Sequence, residues 1–129
     1  MPKLKILIAE DSKSMQAFYA QSIPNEFYEK TIVADGEVAL HAYATAKPDI
    51  ILLDMNMPLV NGYEVLKTIR VKYKDPLTTI VMVTSASEKN DVVACAQLGI
   101  QGYLVKPFKP EELNQAIAKS HRANVERRA

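Results

Sequence analysis

Five short apolar runs punctuate the chain, and the segments between them change period. Residues 4–9, 31–34, 50–53, 80–83 and 102–105 are rich in Ile, Val and Leu, and most do not alternate with polar residues. Runs of that kind predict parallel strands covered on both faces. Between the first two, Met15, Phe18, Tyr19 and Ser22 follow i, i+3, i+4, i+7 spacing after Ser12, a candidate N-cap. Ala39, Ala42, Tyr43 and Ala46 repeat that spacing after an Asp35-Gly36 turn, and Val65, Leu66, Ile69 and Tyr73 form an apolar face beginning near Gly62. A fourth helical stretch, 91–98, stops at Gly99, a suitable C-cap. The last helix is predicted to open at Pro110, with Glu111 and Glu112 in its first turn and basic residues near its end, as the helix dipole favours.

A strand-helix unit repeated five times predicts right-handed crossovers and a doubly wound, five-stranded parallel sheet, an α/β fold. After about Ser120 the apolar spacing thins, so "HRANVERRA" reads as a frayed helix end or tail. The expected division is one domain over residues 1–121 and a helix end or tail over 122–129. At 129 residues the chain is long enough for one substantial core. A formal charge of +1 gives no global electrostatic reason to bind nucleic acid or an acidic membrane surface, so neither is expected as a direct partner. A lone cysteine, Cys95, rules out an internal disulfide and fits a reducing compartment. The first apolar run is too short to cross a membrane and meets acid at once, which predicts a strand and not a signal peptide. A cytoplasmic location is the resulting expectation.

The chemistry gathers at strand ends. Parallel α/β sheets bind ligands at the carboxyl ends of their strands. Glu10 and Asp11 follow the first strand, Asp54 the third, Thr84 and Ser85 the fourth, and Lys106 the fifth. Two carboxylates about 5 Å apart repel by roughly 3 kcal/mol at an effective dielectric of about 20, so such a cluster calls for a cation. Hard oxygen ligands without histidine or cysteine suit Mg²⁺, and Lys106 adds a second positive charge. A carboxylate beside Mg²⁺ and an ammonium is equipped to attack phosphorus, giving an aspartyl phosphate on Asp54, with Thr84 donating to a phosphoryl oxygen.

The segments "ILIAEDS", "PDIILLDMNMPLVNGYEVLKTIR", "VMVTSAS" and "GIQGYLVKPF" together resemble the receiver domain of two-component response regulators, over roughly residues 3–120. The resemblance implies a flavodoxin-like (βα)₅ fold with strand order 2-1-3-4-5. It implies phosphorylation of Asp54 by a histidine kinase, a histidine phosphotransfer protein or a small phosphodonor. By the same resemblance Asp11, Asp54 and the backbone carbonyl of Asn56 would bind Mg²⁺, with Glu10 acting mostly through water. Thr84 and Tyr103 would form a switch pair, Lys106 would be the phosphate partner, and Lys106-Pro107 would be a cis peptide. It further implies a signalling switch, not an enzyme, with self-phosphorylation from a phosphodonor and slow loss of the phosphoryl group. Its target would bind the face of the fourth helix, fifth strand and fifth helix (about 88–97 and 101–119), and a homodimer on phosphorylation is one form of that output. Glu10 replaces a frequent Asp, Ser85 a frequent Ala or Gly, and Ala86 offers no polar group to orient water.

Blander readings fit single residues. Asp54 alone would pass for a turn acid, Tyr103 for a strand aromatic, and Cys95 for a buried helix residue. His41 and His121 lack ligand spacing and read as surface residues. A haloacid-dehalogenase-type phosphatase would need a second Asp where Asn56 stands. A flavodoxin-like carrier would not place the acidic loop "AEDSKSM" against a flavin phosphate.

Overall fold

The computed structural model describes residues 2–128, apart from the side chains of 89 and 90. The elements run β1 (Leu4–Ala9), α1 (Lys13–Ser22), β2 (Tyr28–Val33), α2 (Gly36–Ala46), β3 (Ile50–Asp54) and α3 (Gly62–Lys67), which a π turn over Thr68–Lys72 prolongs. They continue with β4 (Thr79–Thr84), a 3₁₀ turn (Ala86–Glu88), α4 (Lys89–Leu98), β5 (Gly102–Val105) and α5 (Pro110–Arg128). All four strand pairings are parallel, in the order β2-β1-β3-β4-β5. This is the expected doubly wound sheet, with β1 and β3 adjacent at its centre.

Alternate residues of the central strands face opposite sides of the sheet. Leu7, Ile51, Leu53, Ile80 and Met82 pack with Ala39 and Ala42 of α2, Val65 and Leu66 of α3, and Cys95 of α4. Ile6, Ile8, Ile50, Leu52, Val81 and Val83 pack with Tyr19 of α1, Ile23 at its C-cap, and Leu113 and Ile117 of α5. Every residue of β3 and β4 is buried, which is why those strands read as continuous apolar runs. The helix signals also correspond to real caps. Ser12 accepts from the Met15 N–H, Asp35 from Val38 and Asn61 from Glu64, while Gly99 ends α4 at a φ of 103°.

Four expectations need correction, one of them Tyr73, which follows the π turn and is exposed instead of lying on the apolar face of the third helix. The second strand is Tyr28–Val33, not 31–34. It is an edge strand whose residues alternate in burial, so its polar half hid its start. Lys30 in that half donates to the Ala20 and Ile23 carbonyls and so caps the end of α1. Second, α5 does not fray after Ser120 but stays helical to Arg128. Its inward face there is polar: Asn124, 1% exposed, donates to the Leu77 carbonyl and Thr79 Oγ1. Third, His121 is half-buried and not on the surface, with Nδ1 2.7 Å from Thr79 Oγ1. His41 is exposed, as expected.

Candidate phosphoryl-acceptor site

β1 and β3 lie side by side, so the residues that follow them meet at one edge. Glu10, Asp11 and Asp54 each offer an oxygen, all within 4.8 Å of one another. Asp11 is exposed, whereas Glu10 and Asp54 are 1% and 5% exposed. From the end of β5, Lys106 Nζ reaches Glu10 Oε1 at 3.0 Å and Asp54 Oδ2 at 3.5 Å. The Lys106 N–H bonds the Thr84 carbonyl, which ties that loop to β4, and the Lys106-Pro107 peptide is cis.

Burial is the main force raising the Asp54 carboxyl, to about 7; the Glu10 charge adds to it, against the opposing pull of Lys106. Lys106 loses basicity to burial but gains more from Glu10 and Asp54, so its proton is held more tightly than usual. Three carboxylates face one ammonium, and the excess negative charge is what a small hard cation would relieve. The donor set is all oxygen and the site opens at Asp11, so the residues fit Mg²⁺.

Backbone contacts fix the acceptor's surroundings. The Ser12 N–H donates to Glu10 Oε2, and Gln16 Nε2 donates to the Glu10 carbonyl at 2.7 Å. The Met55 N–H continues the β3–β4 ladder onto the Val83 carbonyl, and the Gly62 N–H closes the loop onto the Met55 carbonyl. At Gly62 a Cβ would run into the carbonyl oxygen of Asp54, so α3 can start this close to the acceptor only from a glycine. Gly62→Ala is therefore expected to cost about 1–3 kcal/mol, read as a lower urea midpoint, because the blocking atom is backbone. An unchanged midpoint would mean that the loop yields freely. Leu59 within that loop holds a φ of 70°, with the Val60 N–H returned to the Pro58 carbonyl in a strained γ-turn.

Two of the residues singled out in the sequence do not touch the acids. Thr84 is fully buried at the end of β4 and gives its hydroxyl proton to the Ser85 carbonyl at 3.1 Å. Tyr103 points outward from β5 and is 55% exposed. The Asn56 side chain is exposed, and its backbone N–H weakly offsets the rise of the Asp54 carboxyl. Spacing overlooked one clasp: Glu88 accepts from both the N–H and the hydroxyl of Ser85 at 2.8 Å. The Ser-x-x-Glu spacing of "SASE" is a capping-box signal that could have revealed it. Gln16 carried no such signal. Between the β3–α3 loop and α4 lies a cleft of about 300 Å³, with Asn56, Glu88 and Asp91 in its wall.

Residues 6–118 match the response regulator receiver domain. The chain is 34% identical over 113 residues to the alkaline phosphatase synthesis transcriptional regulatory protein PhoP of Bacillus subtilis, covering 88% of this chain and 46% of that protein. It is 32% identical over 120 residues to the DNA-binding response regulator MtrA of Mycobacterium tuberculosis, covering 93% and 51%. The chain thus spans about half the length of these curated relatives. Among solved structures, the chemotaxis protein CheY4 of Vibrio cholerae superposes with a TM-score of 0.84 at 31% identity, over 92% of this chain and 99% of that one. The receiver domain of AraT from Geobacillus stearothermophilus superposes with a TM-score of 0.86 at 26% identity, over 99% and 100%. The expectation that nucleic acid plays no part gains no support from relatives named as DNA-binding regulators. With its sheet order, its strand-end acids and a match covering most of its length, the chain belongs to the receiver domains of two-component response regulators.

Proposed function

We propose that Asp54 is the phosphoryl acceptor of this receiver domain. The observation that carries the reading is Lys106 Nζ, held between Glu10 and Asp54 at the buried end of β3. An Asp54 carboxylate oxygen forms the new bond to phosphorus, while the bond to the donor's imidazole nitrogen, or to the leaving oxygen of a small donor, breaks and the leaving atom keeps the electron pair. Lys106 needs only a short movement to meet the phosphoryl oxygens and neutralise the charge they gather. Asp11, Asp54 and the Asn56 carbonyl are the groups that would hold Mg²⁺, with Glu10 acting through water. When bound, the ion supplies positive charge to the phosphoryl oxygens.

In the state described, Thr84 is parked on the Ser85 carbonyl and Tyr103 is out. A phosphoryl group adds charge and acceptor oxygens at this edge. Thr84 would turn toward one of them and vacate space that Tyr103 fills by swinging inward, a change between two discrete packings. The output surface is then the α4–β5–α5 face, where Tyr103 and Val93, 62% exposed, already present apolar area. A histidine kinase or phosphotransfer protein is the donor partner, and the target or a second copy binds that face. No described helix is long and apolar enough to cross a membrane.

Acetyl phosphate with Mg²⁺ should add one phosphoryl mass to the protein and none to Asp54→Asn. An equal gain in that variant would overturn the assignment. Amide-shift mapping with beryllofluoride should place the distant changes on α4, β5 and α5. Changes confined to α1 and α2 would contradict the proposed face.

A further inference from the structure

Tyr19 lies on the buried face of α1 and is 1% exposed, yet its hydroxyl has no hydrogen-bond partner among the described residues. An unpartnered buried hydroxyl costs about 1–3 kcal/mol, so phenylalanine would serve better here unless another state of the protein uses the oxygen. The ring is well fixed, stacked on Phe108 at 6.3 Å between centroids and meeting Phe18 edge-on at 5.8 Å. Side chains on a helix lean toward its N-terminus, and α1 begins three residues after Glu10 at the carboxyl edge of the sheet. The hydroxyl end of Tyr19 therefore leans toward the acid pocket. Its proton is held more tightly than an ordinary phenol's, by burial first and then by the charges of Glu10 and Asp54, which agrees with that direction. Phe108, the ring that fixes it, comes two residues after Lys106.

Glu10 explains what the hydroxyl is for. Its Oε2 accepts from the Ser12 N–H and its Oε1 from Lys106 Nζ. If Lys106 moves to the phosphoryl oxygens, as the proposed function requires, Oε1 loses its one direct protein donor among the described residues and is left to the water that links Glu10 to the cation. That loss opposes phosphorylation unless another donor arrives.

We propose that Tyr19 is a positioning residue for the phosphorylated state: its hydroxyl donates to the Glu10 carboxylate, directly or through one water, once Lys106 has left it. The inference rests on Asp54 being the acceptor. In the resting state Lys106 holds Glu10 and the hydroxyl stands idle. In the phosphorylated state Tyr19 takes over the partnership and frees the lysine.

Tyr19→Phe removes the hydroxyl and keeps the ring, so the fold is expected to be as stable as before or more so. Calorimetric titration with Mg²⁺ alone should give an unchanged affinity, because Lys106 still covers Glu10. Titration with beryllofluoride in saturating Mg²⁺ should give an affinity about tenfold weaker, equivalent to about 1.4 kcal/mol. Equal beryllofluoride affinities, or a parallel loss in both titrations, would overturn the role. In the unmodified protein, the NMR signal of the hydroxyl-bearing ring carbon of Tyr19 should shift when beryllofluoride binds, and a fixed signal would also overturn it. A wild type that binds no beryllofluoride would fail the Asp54 reading and take this inference with it. Binding by the wild type and by Tyr19→Phe alike removes this inference alone.

Discussion

Asp54→Asn should be more stable than the wild type at pH 8 without metal, by on the order of 2 kcal/mol. The folded protein holds the Asp54 proton up to about pH 7, whereas the unfolded chain releases it near the ordinary value of 3.8. Between those values the native state binds more protons, so stability falls as pH rises through this window and levels off above it. The amide removes the charge and most of the repulsion from Glu10 while keeping the shape. Mg²⁺ should act in the opposite sense on the wild type. Binding only the native state at about 100 times its dissociation constant, it would add roughly 2.7 kcal/mol. For a domain of this size that corresponds to a rise of roughly 8 °C in melting temperature. Asp11→Ala should abolish the rise and Glu10→Ala should weaken it. Thermal melts at pH 5 and pH 8, with and without Mg²⁺, read all of these effects. A wild type indifferent to both pH and Mg²⁺ would contradict the charge account of the site.

The second large effect lies at the opposite end of the sheet. Arg70, in the π turn after α3, donates through Nε to the Gly99 carbonyl and through Nη1 to the Asp75 carbonyl. Its Nη2 serves the Thr78 carbonyl and Gln101 Oε1, and that same Gln101 oxygen accepts from the Ile80 N–H. One guanidinium thus fastens the chain entering β4 to the chain entering β5. Arg70→Met keeps the stem and leaves those carbonyls short of donors, at a cost of roughly 3–5 kcal/mol. Arg70→Lys should recover only part of it, because a single ammonium cannot span the same fork. Urea denaturation measures the difference. Asp75 adds a pH dependence to the same corner. Burial alone would raise its carboxyl, but Thr78 and Tyr43 hydroxyls and the Leu77 and Thr78 N–H groups outweigh that and hold it at about 2. Its stabilisation is present above about pH 4 and is lost as pH falls toward 2.

These two regions differ in how far the sequence exposes them. The acids, Thr84 and Lys106 each follow an apolar strand directly, so a parallel topology alone carries them to one edge. β3 and β4 were legible because both of their faces are covered. β2 was not, because an edge strand mixes Glu29 and Lys30 with its apolar residues. The end of α5 is hidden for a related reason, since its inward residues Ser120 and Asn124 are polar and break the apolar period. Tyr73 was expected on the apolar face of the third helix. The π turn that ends at Lys72 precedes it, and Tyr73 is 43% exposed, stacked on Tyr43. The Arg70 fastening has no local signal, for its carbonyl partners lie up to 29 residues away. Tyr19 was read as apolar from its spacing, and only the structure separates its packed ring from its orphaned hydroxyl.

Borohydride trapping measures directly which carboxylate takes the phosphoryl group. Protein treated with acetyl phosphate and Mg²⁺, then reduced with borohydride and digested, should carry homoserine at position 54 and unchanged Glu10 and Asp11. Reduction at Asp11 or Glu10, with Asp54 intact, would contradict the Asp54 assignment.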